Sequence, residues 1–133
     1  MVKRICFVLI FVISTASLMQ SCEKYEATYE ESDIARLDGM RNEILRMVGG
    51  ANCYNSSSCR CIAFGVKACG GPAGYLIYSA GTVNEVELLK RVGEYNRFNK
   101  SLIEEYGWIS DCSVTPVPVV GCKDGHCVNL SAQ

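Results

Sequence analysis

CRCIAFGVKACGGPAGYLIYS, residues 59–79, sets two short runs of β-branched and aromatic residues on either side of a Cys-Gly-Gly-Pro-Ala-Gly connection. Arg60 to Val66 and Tyr75 to Ser79 are expected as strands, because such side chains suit a pleated, half-buried surface and Gly-Pro clusters mark strand ends. The glycines permit a tight turn beside Cys69 and close approach of a neighbouring element. A phosphate-cradling loop is excluded: it needs Lys-Ser or Lys-Thr leading into a helix, and here a strand follows.

On the N-terminal side, residues 32–48 space Ile34, Leu37, Ile44, Leu45 and Val48 as one face of an amphipathic helix. Ser32 or Asp33 is expected to cap it, and Gly49-Gly50 to stop it. Residues 51–58, ANCYNSSS, are a polar loop.

On the C-terminal side, Thr82-Val83-Asn84-Glu85 has the form of a capping box. Behind it, Val86, Leu89, Val92, Tyr95, Phe98, Leu102, Ile103 and Tyr106 trace an apolar face that ends at Gly107. Trp108 to Val120 is extended, with Pro116 and Pro118 barring a central strand position. Asp124-Gly125 signals a two-residue hairpin. It sets Lys123 opposite His126 and Cys122 opposite Cys127, the latter a non-hydrogen-bonded pair whose side chains approach closely. The expected fold is α+β: an antiparallel sheet of about four to five strands packed against two helices and stabilised by disulfides.

The chain opens MVKRICFVLIFVISTASLMQSC, a basic start followed by an uncharged apolar run shorter than a membrane span. Residues 1–21 are expected to be a lipoprotein signal peptide. Leu18-Met19-Gln20-Ser21-Cys22 resembles the lipobox of bacterial lipoproteins, which implies lipidation of Cys22 and attachment to a membrane through acyl chains such as palmitate. Ordinary cleavage after Ala16 or Ser21 is the alternative. Residues 22–32 follow as an acidic tether rich in Glu23, Glu26, Glu30 and Glu31, and residues 33–133 are expected to form a single α+β domain. The expected address is the bacterial cell envelope, with the outer membrane or cell surface favoured.

The formal charge is −1, and five of the 14 acids lie between Glu23 and Asp33, so the folded part is nearly neutral. No basic stripe suggests nucleic acid.

Of nine cysteines, Cys6 leaves with the signal and Cys22 is expected to be acylated. The other seven meet an oxidising compartment, where disulfides are the default and an odd number leaves one thiol over. No C-x-x-C redox motif occurs, no spacing matches a zinc ribbon, and His126 is the only histidine. No catalytic residue, metal or cofactor is expected.

Cys53, Cys59 with Ile62-Ala63-Phe64-Gly65, Lys67, Cys69-Gly70-Gly71-Pro72, Tyr75-Leu76, Tyr78-Ser79, Tyr95-Asn96, Cys112 and Cys122-x-x-Gly125-x-Cys127 resemble a group of small exported six-cysteine bacterial proteins of unknown function. The resemblance covers about residues 50–128, and CGGP followed by YLxYS is its most specific part. It implies three bridges among Cys53, Cys59, Cys69, Cys112, Cys122 and Cys127, with Cys61 as the free thiol. Spacing does not fix connectivity; the expected pairs are Cys122–Cys127, Cys53–Cys59 and Cys69–Cys112. The expected role is binding or interaction in the envelope, with an envelope protein as partner. The alternative is a thiol-redox or metal-binding envelope protein.

Overall fold

The computed structural model describes residues 29–131. The chain divides into two units between Ala35 and Arg36. In the first, residues 29–35 are helical. Ser32 and Asp33 therefore do not cap a helix start, because Glu30 and Glu31 before them are already helical.

In the second unit, α1 (residues 36–48) buries Leu37, Ile44 and Val48, whereas Leu45 stands 42% exposed. The buried stripe follows the spacing of seven and four residues, and a neighbour one position on turns away from it. Gly49 ends the helix at φ 56°, its N–H donating to Leu45 O at 3.0 Å. This left-handed stop is the one glycine adopts without a Cβ penalty.

β1 (Cys59–Val66) and β2 (Pro72–Ser79) form an antiparallel hairpin, with register running from Cys59 opposite Ser79 to Val66 opposite Pro72. Pro72 opens its strand, where a missing donor is tolerated. The turn between them closes through Lys67 N–H to Gly71 O (3.0 Å) and Gly70 N–H to Lys67 O (2.9 Å). Gly70 and Gly71 both take positive φ there, 91° and 80°.

α2 (Glu85–Tyr106) starts two residues later than the capping box implied. Asn84 is its cap and accepts from Glu87 N–H at 3.2 Å, while Thr82 Oγ1 donates to Ser79 O. The helix buries Leu88, Val92, Tyr95 and Leu102. Val92, Tyr95 and Leu102 face inward as expected, whereas Val86 is 81% exposed and Leu89 41%, and Leu88 takes the inward position of the first turns. The stripe 88-92-95-102 keeps alternating steps of four and three or seven, and Val86 in the first turn falls off it. Asn84→Ala is expected to cost about 1 kcal/mol, read as a lower urea midpoint.

β3 (Val120–Lys123) and β4 (His126–Asn129) form the second hairpin, with Cys122 opposite Cys127 and Lys123 opposite His126. Asp124 and Gly125 both have positive φ, 52° and 79°, the requirement of the turn that matches strand twist.

The architecture is α+β, but the single sheet of four to five strands is replaced by two separate two-stranded sheets. The reason lies at the edges. Asn96 Oδ1 accepts from Gly65 N–H at 2.8 Å and its Nδ2 donates to Ala63 O at 3.0 Å; Asn99 Oδ1 accepts from Val66 N–H at 2.9 Å. Side chains of α2 thus occupy the backbone groups of β1 that another strand would have used. The edge of β4 is taken by a single bridge, Asn52 opposite His126. Gly65, at φ 73°, bends β1 here, and a Cβ on it would meet that of Ala73 at 3.0 Å.

The core draws on all these elements: Ile44 and Val48, Leu76 and Tyr78, Leu88, Val92, Tyr95 and Leu102, with Cys53, Cys59 and Cys127 beside them. Phe64 of β1 stacks on Tyr95 of α2 at 4.5 Å between ring centroids.

Tyr78, 3% exposed, donates its hydroxyl to Glu85 at 2.7 Å and ties β2 to the start of α2. Burial, and then the bond to Glu85, push its pKa up to about 12. The raised value favours the protonated phenol in the folded state, so its stabilisation is complete below the unfolded pKa. It fades as pH rises from about 10 to about 12, by about 2–3 kcal/mol in all. Urea unfolding across that window is expected to show the loss, and Tyr78→Phe to flatten it.

Candidate binding site

Cys53 bonds to Cys122, Cys59 to Cys127 and Cys69 to Cys112; Cys61 is a free, half-buried thiol. The six bridging cysteines are those implied above, and Cys69–Cys112 pairs as expected. The expected pairs Cys122–Cys127 and Cys53–Cys59 do not form. Cys122 and Cys127 do face each other across the hairpin, and their amides point outward, to Ser56 Oγ (3.0 Å) and Ala51 O (2.9 Å). A directly opposed pair of this kind holds its Cα atoms about 4.5 Å apart, short for a disulfide, whose usual Cα separation is about 5.5–6 Å. The bridges that form span 5.9 and 5.4 Å. Cys122 reaches instead to Cys53 in the loop beside the hairpin, and Cys127 to Cys59 at the start of β1. Cys22, the expected lipidation site, and Cys6 lie outside the described residues.

Tryptic mapping of the unreduced protein distinguishes the two arrangements. Peptide 47–60 carries Cys53 and Cys59, 101–123 carries Cys112 and Cys122, and 124–133 carries Cys127. In the observed pairing, peptide 47–60 stays linked to both of the others. Release of 47–60 as a self-looped fragment would contradict it.

The third bridge sits elsewhere. Cys69 and Cys112 are both exposed and join the β1–β2 turn to the extended segment 108–119. Lys67 reinforces that join, its Nζ lying 2.8 Å from Asp111 Oδ1, 2.9 Å from Ser113 O and 3.0 Å from Ser113 Oγ. The hydrogen bonds from Lys67 and Ser113 hold the Asp111 carboxyl below its ordinary pKa. Asp111 takes both the lysine charge and the hydroxyl of Ser113 (2.7 Å), so lysine and serine act as a clamp rather than as base and nucleophile. Accessible disulfides are attacked first by thiols. A mild dithiol is therefore expected to reduce Cys69–Cys112 before the buried pair, measurable by alkylation and mass spectrometry.

A concavity of about 480 Å³ lies beside Cys53. Its walls include Asn52, Tyr54, Asn55 and Ser58 from the loop between Cys53 and Cys59, with Ser79 and Thr82 from the end of β2 and the approach to α2. Local structure fixes this loop. Asn55 caps a 3₁₀ turn over Ser56–Ser58, its Oδ1 accepting from Ser57 N–H (3.1 Å) and from the Ser57 hydroxyl. Ser58 Oγ donates to Asn55 O at 3.0 Å. Cys53 N–H donates to Gly125 O at 2.8 Å.

Two side chains of the concavity stand apart from the rest. Tyr54 stands fully exposed at 105%, its ring and hydroxyl engaging nothing among the described residues. Ser79 is its opposite: 1% exposed, with an Oγ that has no hydrogen-bond partner among the described residues. A buried hydroxyl left unpaired costs about 1–3 kcal/mol, and such groups are rare enough to call for an explanation. No carboxylate, lysine, arginine or histidine is among the residues lining this space. His126 is not among them, and its Nδ1 lies 2.9 Å from Gly50 O.

These residues are not distinguished in the sequence, because ANCYNSSS has the composition of any polar loop. The available signal was a tyrosine between polar residues in a loop closed by two cysteines, where its ring has no core to enter. Ser79 had none, since burial of a strand-end serine depends on what packs over it.

No family model, curated protein or solved structure matches this chain.

Proposed function

We propose that the chain is a lipid-anchored, disulfide-stapled domain of a bacterial cell envelope that acts by binding. Residues 1–21 serve as its lipoprotein signal, the acylated Cys22 holds it to a membrane, and residues 22–32 stand the domain off the surface. The resemblance to small exported six-cysteine proteins points the same way. The observation that carries the binding role is the concavity beside Cys53, in which the side chains of Tyr54 and Ser79 have no partner among the described residues. Stapled walls suit recognition, because a preorganised site loses little conformational entropy on binding. Crosslinking from intact cells tests this reading: recovery of a specific envelope component supports it, and recovery of none overturns it. Mass determination of the mature N-terminus tests the anchor, with an acylated Cys22 expected and a free N-terminal thiol contrary.

One observation favours a second reading, a thiol-redox or metal-binding envelope protein. The sulfurs of Cys53, Cys59 and Cys127 all lie within 4.8 Å of one another, close enough to share a soft metal if reduced. Thiol counting on the purified protein separates the two. One free thiol, that of Cys61, supports the stapled domain; three or more with stoichiometric metal support the alternative.

A further inference from the structure

Resting on the binding role proposed above, we infer that the concavity between Tyr54 and Ser79 takes a neutral saccharide unit, with the Ser79 hydroxyl as its deepest hydrogen-bonding contact. The wall that receives the ligand is mainly apolar in surface and set with a few polar groups. Asn52, Asn55, Ser58, Ser79 and Thr82 offer amides and hydroxyls, groups that donate and accept alike. No charged side chain lies among them, so an anionic or cationic ligand finds no counter-charge. A sugar ring matches that set, since each of its hydroxyls also donates and accepts, and its C–H face provides a flat apolar surface for the Tyr54 ring.

Several of these groups remain available. Asn55 spends its Oδ1 on Ser57 and keeps its Nδ2 donors, and no hydrogen bond among the described residues engages the side chains of Asn52 or Tyr54. The volume, about 480 Å³, falls within the range of small-ligand sites.

Gly81 borders the buried hydroxyl. It lines the same space, and a Cβ placed on it would stand 3.7 Å from Ser79 Oγ and 3.9 Å from Ser58 Cβ. A side chain there would thicken the cover over the hydroxyl without clashing. A site built around a buried hydroxyl discriminates strongly, because a ligand that fails to reach it leaves it unpaired.

The test uses the full chain in detergent micelles, titrated with cellobiose and with N,N′-diacetylchitobiose and followed by amide chemical shifts. Shift changes confined to residues 52–58, 79–82 and 125 are expected for at least one sugar. Ser79→Ala is expected to weaken binding roughly tenfold or more while raising the urea midpoint, a combination that a purely structural serine does not produce. Gly81→Ala and Tyr54→Ala are expected to weaken binding with the fold intact. Absence of shifts with both sugars overturns the inference, as do shifts that all three variants leave unchanged. A photo-crosslinker at position 54 in intact cells separates this failure from that of the broader reading. A captured envelope protein without sugar binding overturns the saccharide and leaves the binding role; capture of nothing without sugar binding overturns both.

Discussion

Replacing all four cysteines of the interior bridges by alanine, on a Cys61→Ser background that prevents exchange, is expected to unfold the domain at room temperature. Cys53–Cys122 and Cys59–Cys127 span sequence separations of 69 and 68, yet they are not two independent long loops. With either in place, the other closes only the short circuit through residues 53–59 and 122–127. In the chain-entropy account, each alone is then worth about 3 kcal/mol, and the two together about 6 kcal/mol, because removing both reopens the long loop that Cys69–Cys112 only shortens. A domain of this size has a total stability of about 5–15 kcal/mol. Either single bridge removed should leave a cooperative urea transition at lower midpoint, and both removed should leave none. A cooperative transition of unchanged midpoint in the four-cysteine variant would show that the small core suffices without staples.

Asn96→Leu is expected to destabilise the domain by about 2–4 kcal/mol, since it strands two backbone groups at roughly 1–2 kcal/mol each. Asn96 is half-buried on α2 and acts as a short substitute strand, satisfying Gly65 N–H and Ala63 O at once. Leucine keeps the volume and the helix propensity but neither bond. Amide exchange should sharpen the effect: Gly65 loses protection in Asn96→Leu, while Val66, bonded to Asn99, and the β2 amides bonded within the hairpin keep theirs. A change below about 0.5 kcal/mol, the size of an ordinary surface substitution, would mean that water replaces the asparagine and that the β1 edge needs no helix to cover it.

The hairpins were legible because their signals are local. Asp124-Gly125 adopts the positive φ angles that only such a pair takes readily, and the β-branched run ending before Gly70-Gly71-Pro72 can be little else. Gly49 and Gly107 ended their helices for the same reason. The helix faces were read less well. Val86 and Leu89 look as apolar as Leu88, and choosing among them requires knowing that Asn84, not Thr82, starts the helix and that β1 lies against it. The joining of the hairpins into one sheet could not be judged from sequence, because it turns on the reach of two asparagines more than thirty residues from the strand they cover.

The same division holds for the cysteines and the site. By itself, the sequence determined that this chain builds two β-hairpins and two helices around a set of paired cysteines, because propensity, turn chemistry and cysteine number act over a few residues. Only the tertiary structure decided which sulfur meets which, since Cys122 and Cys127 are neighbours in the hairpin but bond across it to Cys53 and Cys59. It also decided that Ser79 is buried without a partner beside an exposed Tyr54. Disulfide choice and hydroxyl burial depend on Cα separation and on what packs overhead, quantities that exist only once distant segments have met.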